Sequence, residues 1–156
     1  MASVKATNIT NLDATPTVLS SAGDVHGSVR VFRDTYEASS LASGSDITVA
    51  RLPIGARIVD IHVKADALGG SSTLAVGNGT TADKYIAATA SNTANKLISL
   101  SNDGKIETIG DEITSTITDI LVTTGGATIS GSITTCLLYT SPSPRDRTRS
   151  RMPSSA

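Results

Sequence analysis

The two histidines, His26 and His62, are the side chains here best suited to move a proton near neutral pH. His62 alternates with Asp60 and Lys64, so at a spacing of two the three share one face of a strand. A carboxylate beside an imidazole is the beginning of a proton-transfer pair. The same trio also suits a plain solvated strand face, where opposite charges sit side by side. His26 precedes Gly27 and has no evident partner. Asp103, Asp111 and Glu112 lie in or beside turns and carry oxygens that calcium favours. Calcium takes several convergent oxygens from a spaced loop, and no Asp-x-Asp-x-Asp-Gly spacing occurs, which leaves these acids a turn role. Isolated histidines and a lone cysteine, Cys136, do not make a transition-metal set. Gly77-Asn78-Gly79-Thr80-Thr81 lacks the lysine and the spacing of a phosphate loop and reads as a turn. There is no Gly-x-Ser-x-Gly elbow and no serine coupled in sequence to a base. A carboxylate pair for glycoside cleavage stays open, although the absence of Trp and the scarcity of Tyr argue against a sugar platform. Sequons at Asn8 and Asn78 would matter only in a secretory pathway. The expectation is a chain with no catalytic residues, no metal and no cofactor.

The elements that position these residues are short and β-like. Met1 to Gly27 is polar, rich in Ala, Thr, Ser and Asn, and without a sustained period. It is expected to be an extended N-terminal arm, with Val18 and Leu19 as anchor points. From Ser28 the chain turns to Val/Ile/Thr runs separated by Gly, Asn, Asp and Ser, the pattern of an all-β domain. In Val29–Tyr36, Val29 and Val31 share one face, and Arg30, Phe32, Asp34 and Tyr36 the other; Glu37–Ser45 is expected to be a loop. Asp46–Leu52 is the second strand, with Ile47 and Val49 alternating against Thr48 and Ala50. Leu52-Pro53-Ile54-Gly55 is a turn, since proline pre-sets φ and glycine accepts the positive φ that follows. In Ala56–Ala65, Val59, Ile61, Val63 and Ala65 are expected in the core, and Asp60, His62 and Lys64 in solvent.

Ser72–Val76 is a further strand, and Lys84–Ala88 suits either a strand or a helical turn. Asp103-Gly104 between Lys96–Leu100 and Lys105–Ile109 predicts a hairpin. Ile113–Thr124 changes phase near Asp119, which predicts a bulge or two short strands. Thr128–Thr135 closes the series. Eight or nine strands predict one β-sandwich, jelly-roll or Greek-key in type. Its core must be aliphatic, because Phe32, Tyr36 and Tyr85 are the only aromatics before residue 136.

The last stretch, Cys136 to Ala156, resembles a translated DNA sequencing adapter. Cys-Leu-Leu-Tyr-Thr-Ser-Pro-Ser-Pro-Arg-Asp matches the transposase end and adapter in one frame, and Ser150–Ala156 matches where the adapter resumes after a barcode. The competing reading is a basic Ser/Pro/Arg tail that binds nucleic acid. The resemblance implies an assembled environmental fragment and a foreign tail at 136–156, behind an arm at 1–27 and a sandwich at 28–135. Leu137 and Tyr139 continue the parity of Ile129 and Ile133, so strand is expected to about Tyr139 and irregular chain from Thr140. The tail also distorts the composition. The chain has 13 Lys+Arg and 14 Asp+Glu, a net charge of -1. Removing Arg145, Arg147, Arg149, Arg151 and Asp146 leaves 9 basic and 13 acidic residues, a net of -4. A mildly acidic chain without a basic cluster is a poor binder of phosphate backbones. Cys136 leaves with the tail, so disulfides are not expected. No apolar run behind a basic start suggests a signal peptide, and no stretch is long and apolar enough to span a membrane.

The centre of the chain resembles small structural proteins of tailed bacteriophages. The similarity runs from Arg51-Leu52-Pro53-Ile54-Gly55-Ala56-Arg57-Ile58 through Val59-Asp60-Ile61-His62-Val63. It continues over Ala67–Gly77 and reaches Asp83-Lys84-Tyr85-Ile86-Ala87-Ala88. In such proteins a Leu-Pro-x-Gly turn leads into a strand; a Gly-rich turn, a strand ending in Val-Gly and an Asp-Lys-Tyr segment follow. The resemblance implies a virion component, a capsid decoration or head-fibre protein made in the host cytoplasm. It implies a homo-oligomer, with a trimer preferred, docked on the major capsid protein without nucleic acid or membrane. A receptor- or glycan-binding adhesion module of a fibre or cell surface is the alternative.

Overall fold

The structure is a computed structural model and describes residues 13–18 and 28–141. Most of the predicted arm, His26, Leu19 and everything from Pro142 onward lie outside the described residues. Among the described residues eight strands form the fold: β1 (Ser28–Leu41), β2 (Asp46–Leu52), β3 (Arg57–Ala65), β4 (Thr73–Asn78), β5 (Ile86–Ala90), β6 (Lys96–Ser99), β7 (Thr118–Gly125) and β8 (Ile129–Ser141). A single helical turn, α1 (Leu100–Asp103), and a 3₁₀ turn (Ile106–Thr108) complete it. The strands make two four-stranded antiparallel sheets, ordered β1-β8-β3-β6 and β2-β7-β4-β5. The protein is an all-β sandwich, as the alternation of short apolar runs predicts.

The core between the sheets is aliphatic. Leu52, Ile58, Ile61, Leu74, Ile86, Ile98, Leu100, Ile120, Ile129, Ile133 and Leu137 are almost wholly buried, with Tyr85 the sole buried aromatic. Every strand contributes at least one buried apolar side chain. β1 buries only Ala38.

Five expectations need correction. Val59 is exposed, because β3 carries a bulge there: Ile58 pairs with Tyr139 and Asp60 with Leu138, so one extra residue shifts the phase and Ile58 takes the core position. A second bulge, at Val49, lets Val49 and Ala50 both turn inward, although strict alternation puts Ala50 outside. Glu37–Leu41 is strand rather than loop, since β1 continues along β8 to the Leu41–Ile129 pair. The Asp103-Gly104 hairpin does not form. Gly104 has φ -99°, not the positive angle that turn needs, and its amide bonds back to the Leu100 carbonyl. Burial of Leu100 pulls the segment into a helical turn, and the Asp103 carboxylate receives the Ser99 amide at 3.1 Å. Finally, β8 does not stop at Tyr139. Thr140 pairs with both Val29 and Arg57, and Ser141 with Ser28. A strand held on both sides keeps its ladder past the last apolar residue. The ambiguous segment near Lys84–Ala88 is a strand, displaced to Ile86–Ala90.

Candidate functional site

Asp60 and His62 sit on β3, on the outer face of the first sheet, two residues apart as the sequence requires. The bulge at Val59 sets Asp60 beside the start of α1. His62 Nε2 is 3.0 Å from Asp60 Oδ2. The same oxygen accepts the Ser101 hydroxyl at 3.0 Å, and Oδ1 accepts the amides of Ile61 at 2.8 Å and Ser101 at 3.3 Å. Ser101 is the member that sequence reasoning missed, because it is brought in by the helical turn that replaces the expected hairpin. The order of the hydrogen bonds matters chemically. Here the carboxylate stands between serine and imidazole. A nucleophilic triad needs the imidazole in the middle, where it can take the serine proton. The Asp60 carboxylate is instead saturated with donors, and the His62 side chain is 39 % exposed. The cluster ties α1 to β3.

The acids singled out as possible calcium ligands are not brought together. Asp103 is engaged by Ser99, Asp111 forms an ion pair with Lys84 at 3.0 Å, and Glu112 forms one with Arg57 at 2.6 Å. Arg57 also donates to the Gly110 carbonyl, fastening the 110–112 segment to β3. Among the described residues no group of three or more His, Cys, Asp or Glu is placed to hold a metal ion. The Gly77–Thr81 segment is a turn: Asn78 Oδ1 accepts the amides of Thr80 and Thr81 at 3.1 and 2.8 Å. Gly77 is required there, because a Cβ would stand 2.0 Å from the Thr81 carbonyl oxygen.

The feature with an unsatisfied surface is β1. It is a fourteen-residue strand at the edge of its sheet, paired on one side with β8 and, among the described residues, with no strand on the other. The other edge strands, β2, β5 and β6, have seven, five and four residues. Directly opposed residues in an antiparallel pair share a face. Phe32 lies opposite the buried Leu137 and Tyr36 opposite the buried Ile133, so Arg30, Phe32, Asp34 and Tyr36 point to the core side. They are nevertheless exposed. Val29, Val31, Arg33 and Thr35 point to the outer side. Val29 and Val31 are 58 % and 61 % exposed, Phe32 36 % and Tyr36 39 %. Proteins usually blunt an edge with short strands, proline, charges or bulges; β1 is long and has no proline or lysine, and its charges (Arg30, Arg33, Asp34, Glu37) and its bulge near Ala38 are the devices it carries.

No known protein family and no curated protein matches the sequence. Solved structures do match. A chain in the capsid of Ralstonia phage GP4 has TM-score 0.60 and 20 % identity, over 75 % of this chain and 86 % of that one. A chain of the cyanophage Pam1 capsid asymmetric unit has TM-score 0.63 and 20 % identity, over 83 % of this chain and 97 % of that one. At such identity the likeness is one of fold.

Proposed function

We propose that the protein is a structural component of a bacteriophage virion, a capsid decoration or head-fibre protein that acts by self-association and docking on the capsid. The observation that carries this reading is β1, a long open edge with apolar side chains on both faces, on a sandwich whose fold recurs in chains of two phage capsids. The order β1-β8-β3-β6 facing β2-β7-β4-β5 supports an eight-stranded jelly roll, an architecture common in viral shells. A shell component works through a rigid surface, and open edges bind neighbours through backbone hydrogen bonds. The role is structural rather than catalytic, with the major capsid protein as partner and the virion as location. An exposed apolar edge favours docking, whereas a glycan reader needs a cleft lined with aromatics or acids.

The test is to express the chain, add it to assembled capsids of the phage that encodes it, and follow co-sedimentation. Saturable binding to capsids is the expected result. Specific binding to a cell-surface glycan, with none to capsids, overturns the reading in favour of an adhesion module.

A further inference from the structure

We propose that β1 pairs with β1 of a second copy, antiparallel across a two-fold axis at Phe32, so that two sheets become one continuous eight-stranded sheet. The inference names the partner in the self-association suggested above, and it rests on that reading only for its biological setting; the argument is from β1 alone. A two-fold axis normal to a sheet sets residue i against a residue of the same parity, so the register must centre on a residue. Centring on Arg33 or Asp34 puts like charges face to face, which is destabilising. Centring on Phe32 sets Arg30 opposite Asp34 of the second copy and Asp34 opposite its Arg30. Two ion pairs then flank a Phe32–Phe32 contact, all on the face where these side chains stand uncovered. On the other face Val31 lies opposite Arg33 of the second copy, whose aliphatic stem can cover it.

Within one copy this complementarity is unused. Among the described residues neither Arg30 nor Arg33 has an ion-pair partner, and the Asp34 carboxylate accepts only the neighbouring Thr35 amide. The β1 bulge lies between Ala38 and Leu41, away from the proposed centre. Of the other registers, centring on Val31 or Tyr36 forms no ion pair, and centring on Thr35 sets Arg33 opposite Glu37 but leaves Phe32 against Ala38 and Asp34 against Tyr36. The pairing is isologous and closes at two copies. That differs from the trimer implied by the phage resemblance, and the experiment separates them.

The full chain is measured by sedimentation equilibrium, alone and as Arg30→Asp and Asp34→Arg variants. All substituted sites are exposed, and circular dichroism checks that each variant folds. The chain alone is expected to be a dimer. Each single variant places like charges at two symmetry-related sites and is expected to weaken that dimer by about tenfold or more. Mixing the two variants restores attraction at both sites, so a heterodimer forms from two weakened parents. As a second readout, Phe32→Cys in a Cys136→Ser background is expected to oxidise to a covalent dimer, since opposed Cα atoms about 4.5–5.5 Å apart suit a disulfide. A monomer, a trimer, or a dimer indifferent to both charge reversals overturns the proposal. A dimer rescued instead by mixing Arg33→Glu with Glu37→Arg overturns the register. A monomer that still binds capsids refutes the pairing and leaves the virion role standing.

Discussion

At the scale of single residues, Val59 and Ile61 show how one bulge redistributes energy along a strand. Both are β-branched and two apart, yet Ile61 is 1 % exposed and Val59 38 %. Ile61→Ala is expected to cost about 2–5 kcal/mol, the usual price of an aliphatic cavity. Val59→Ala is expected to stay within about 0.5 kcal/mol, as for surface changes. Urea unfolding of the two variants checks this, and equal losses would contradict the bulge. Tyr85 gives a second case. It is fully buried, and its hydroxyl finds no hydrogen-bond partner. The Lys84 ammonium sits over the ring, 5.2 Å from its centroid. Tyr85→Phe removes the unsatisfied group and keeps the cation–π contact, so stability is expected to rise by about 1–3 kcal/mol. The same residue sets an alkaline limit. Burial holds the Tyr85 phenol above its ordinary value, and the hydrogen bond with Asp111 does the same for Lys84. The folded chain therefore keeps both protons longer than the unfolded chain. Stability is fully present below about pH 10 and falls as pH rises through the folded values. The urea midpoint is expected to fall above that pH, and less steeply in Tyr85→Phe. A midpoint that rises there would reverse the sign and refute the account.

At the scale of elements, β8 organises the first sheet. It is paired with β1 and β3 along nearly its whole length, and Leu137 lies in the core with Tyr139 packed against it. That gives a sharp contrast between two truncations. Removing Pro142–Ala156 is expected to leave stability within about 0.5 kcal/mol. Removing Cys136–Ala156 takes Leu137 and half of the β8 ladder, and is expected to abolish cooperative unfolding; a folded product would show that β8 is dispensable beyond Thr135. We retain the proposal that 136–156 derives from an adapter. The sandwich then requires of any natural continuation an apolar residue at 137, because that site is enclosed whatever fills it. The nucleotide sequence around the Thr135 codon tests the proposal directly.

At the scale of the whole molecule, the pairings are distant in sequence. β1 meets β8 across the length of the domain, from Ser28–Ser141 to Leu41–Ile129, and β2 meets β7 from Asp46–Thr123 to Leu52–Thr118. Loop-closure entropy must be met before such contacts form, which slows folding. Refolding from urea is expected in about milliseconds to seconds, the range of sandwich topologies. Microsecond refolding followed by stopped flow or temperature jump would be incompatible with this topology.

Period-2 patterning and turn residues determined the class of fold, most strand positions and the aliphatic core, because those signals are local: each residue's face follows from its neighbours and the pleat. Asp46–Leu52 was legible to the residue, as was the pairing of Asp60 with His62 on one face. What depends on contacts between distant segments was not. The bulge at Val59 exists only relative to β8, the turn at Leu100–Asp103 only because a pocket encloses Leu100, and Ser101 reaches Asp60 only through that turn. The exposure of β1 is the largest of these differences. Its sequence is that of any half-buried strand, yet at a sheet edge Phe32 and Tyr36 stand in solvent. Burial is a property of what lies opposite, and the tertiary structure alone decides that.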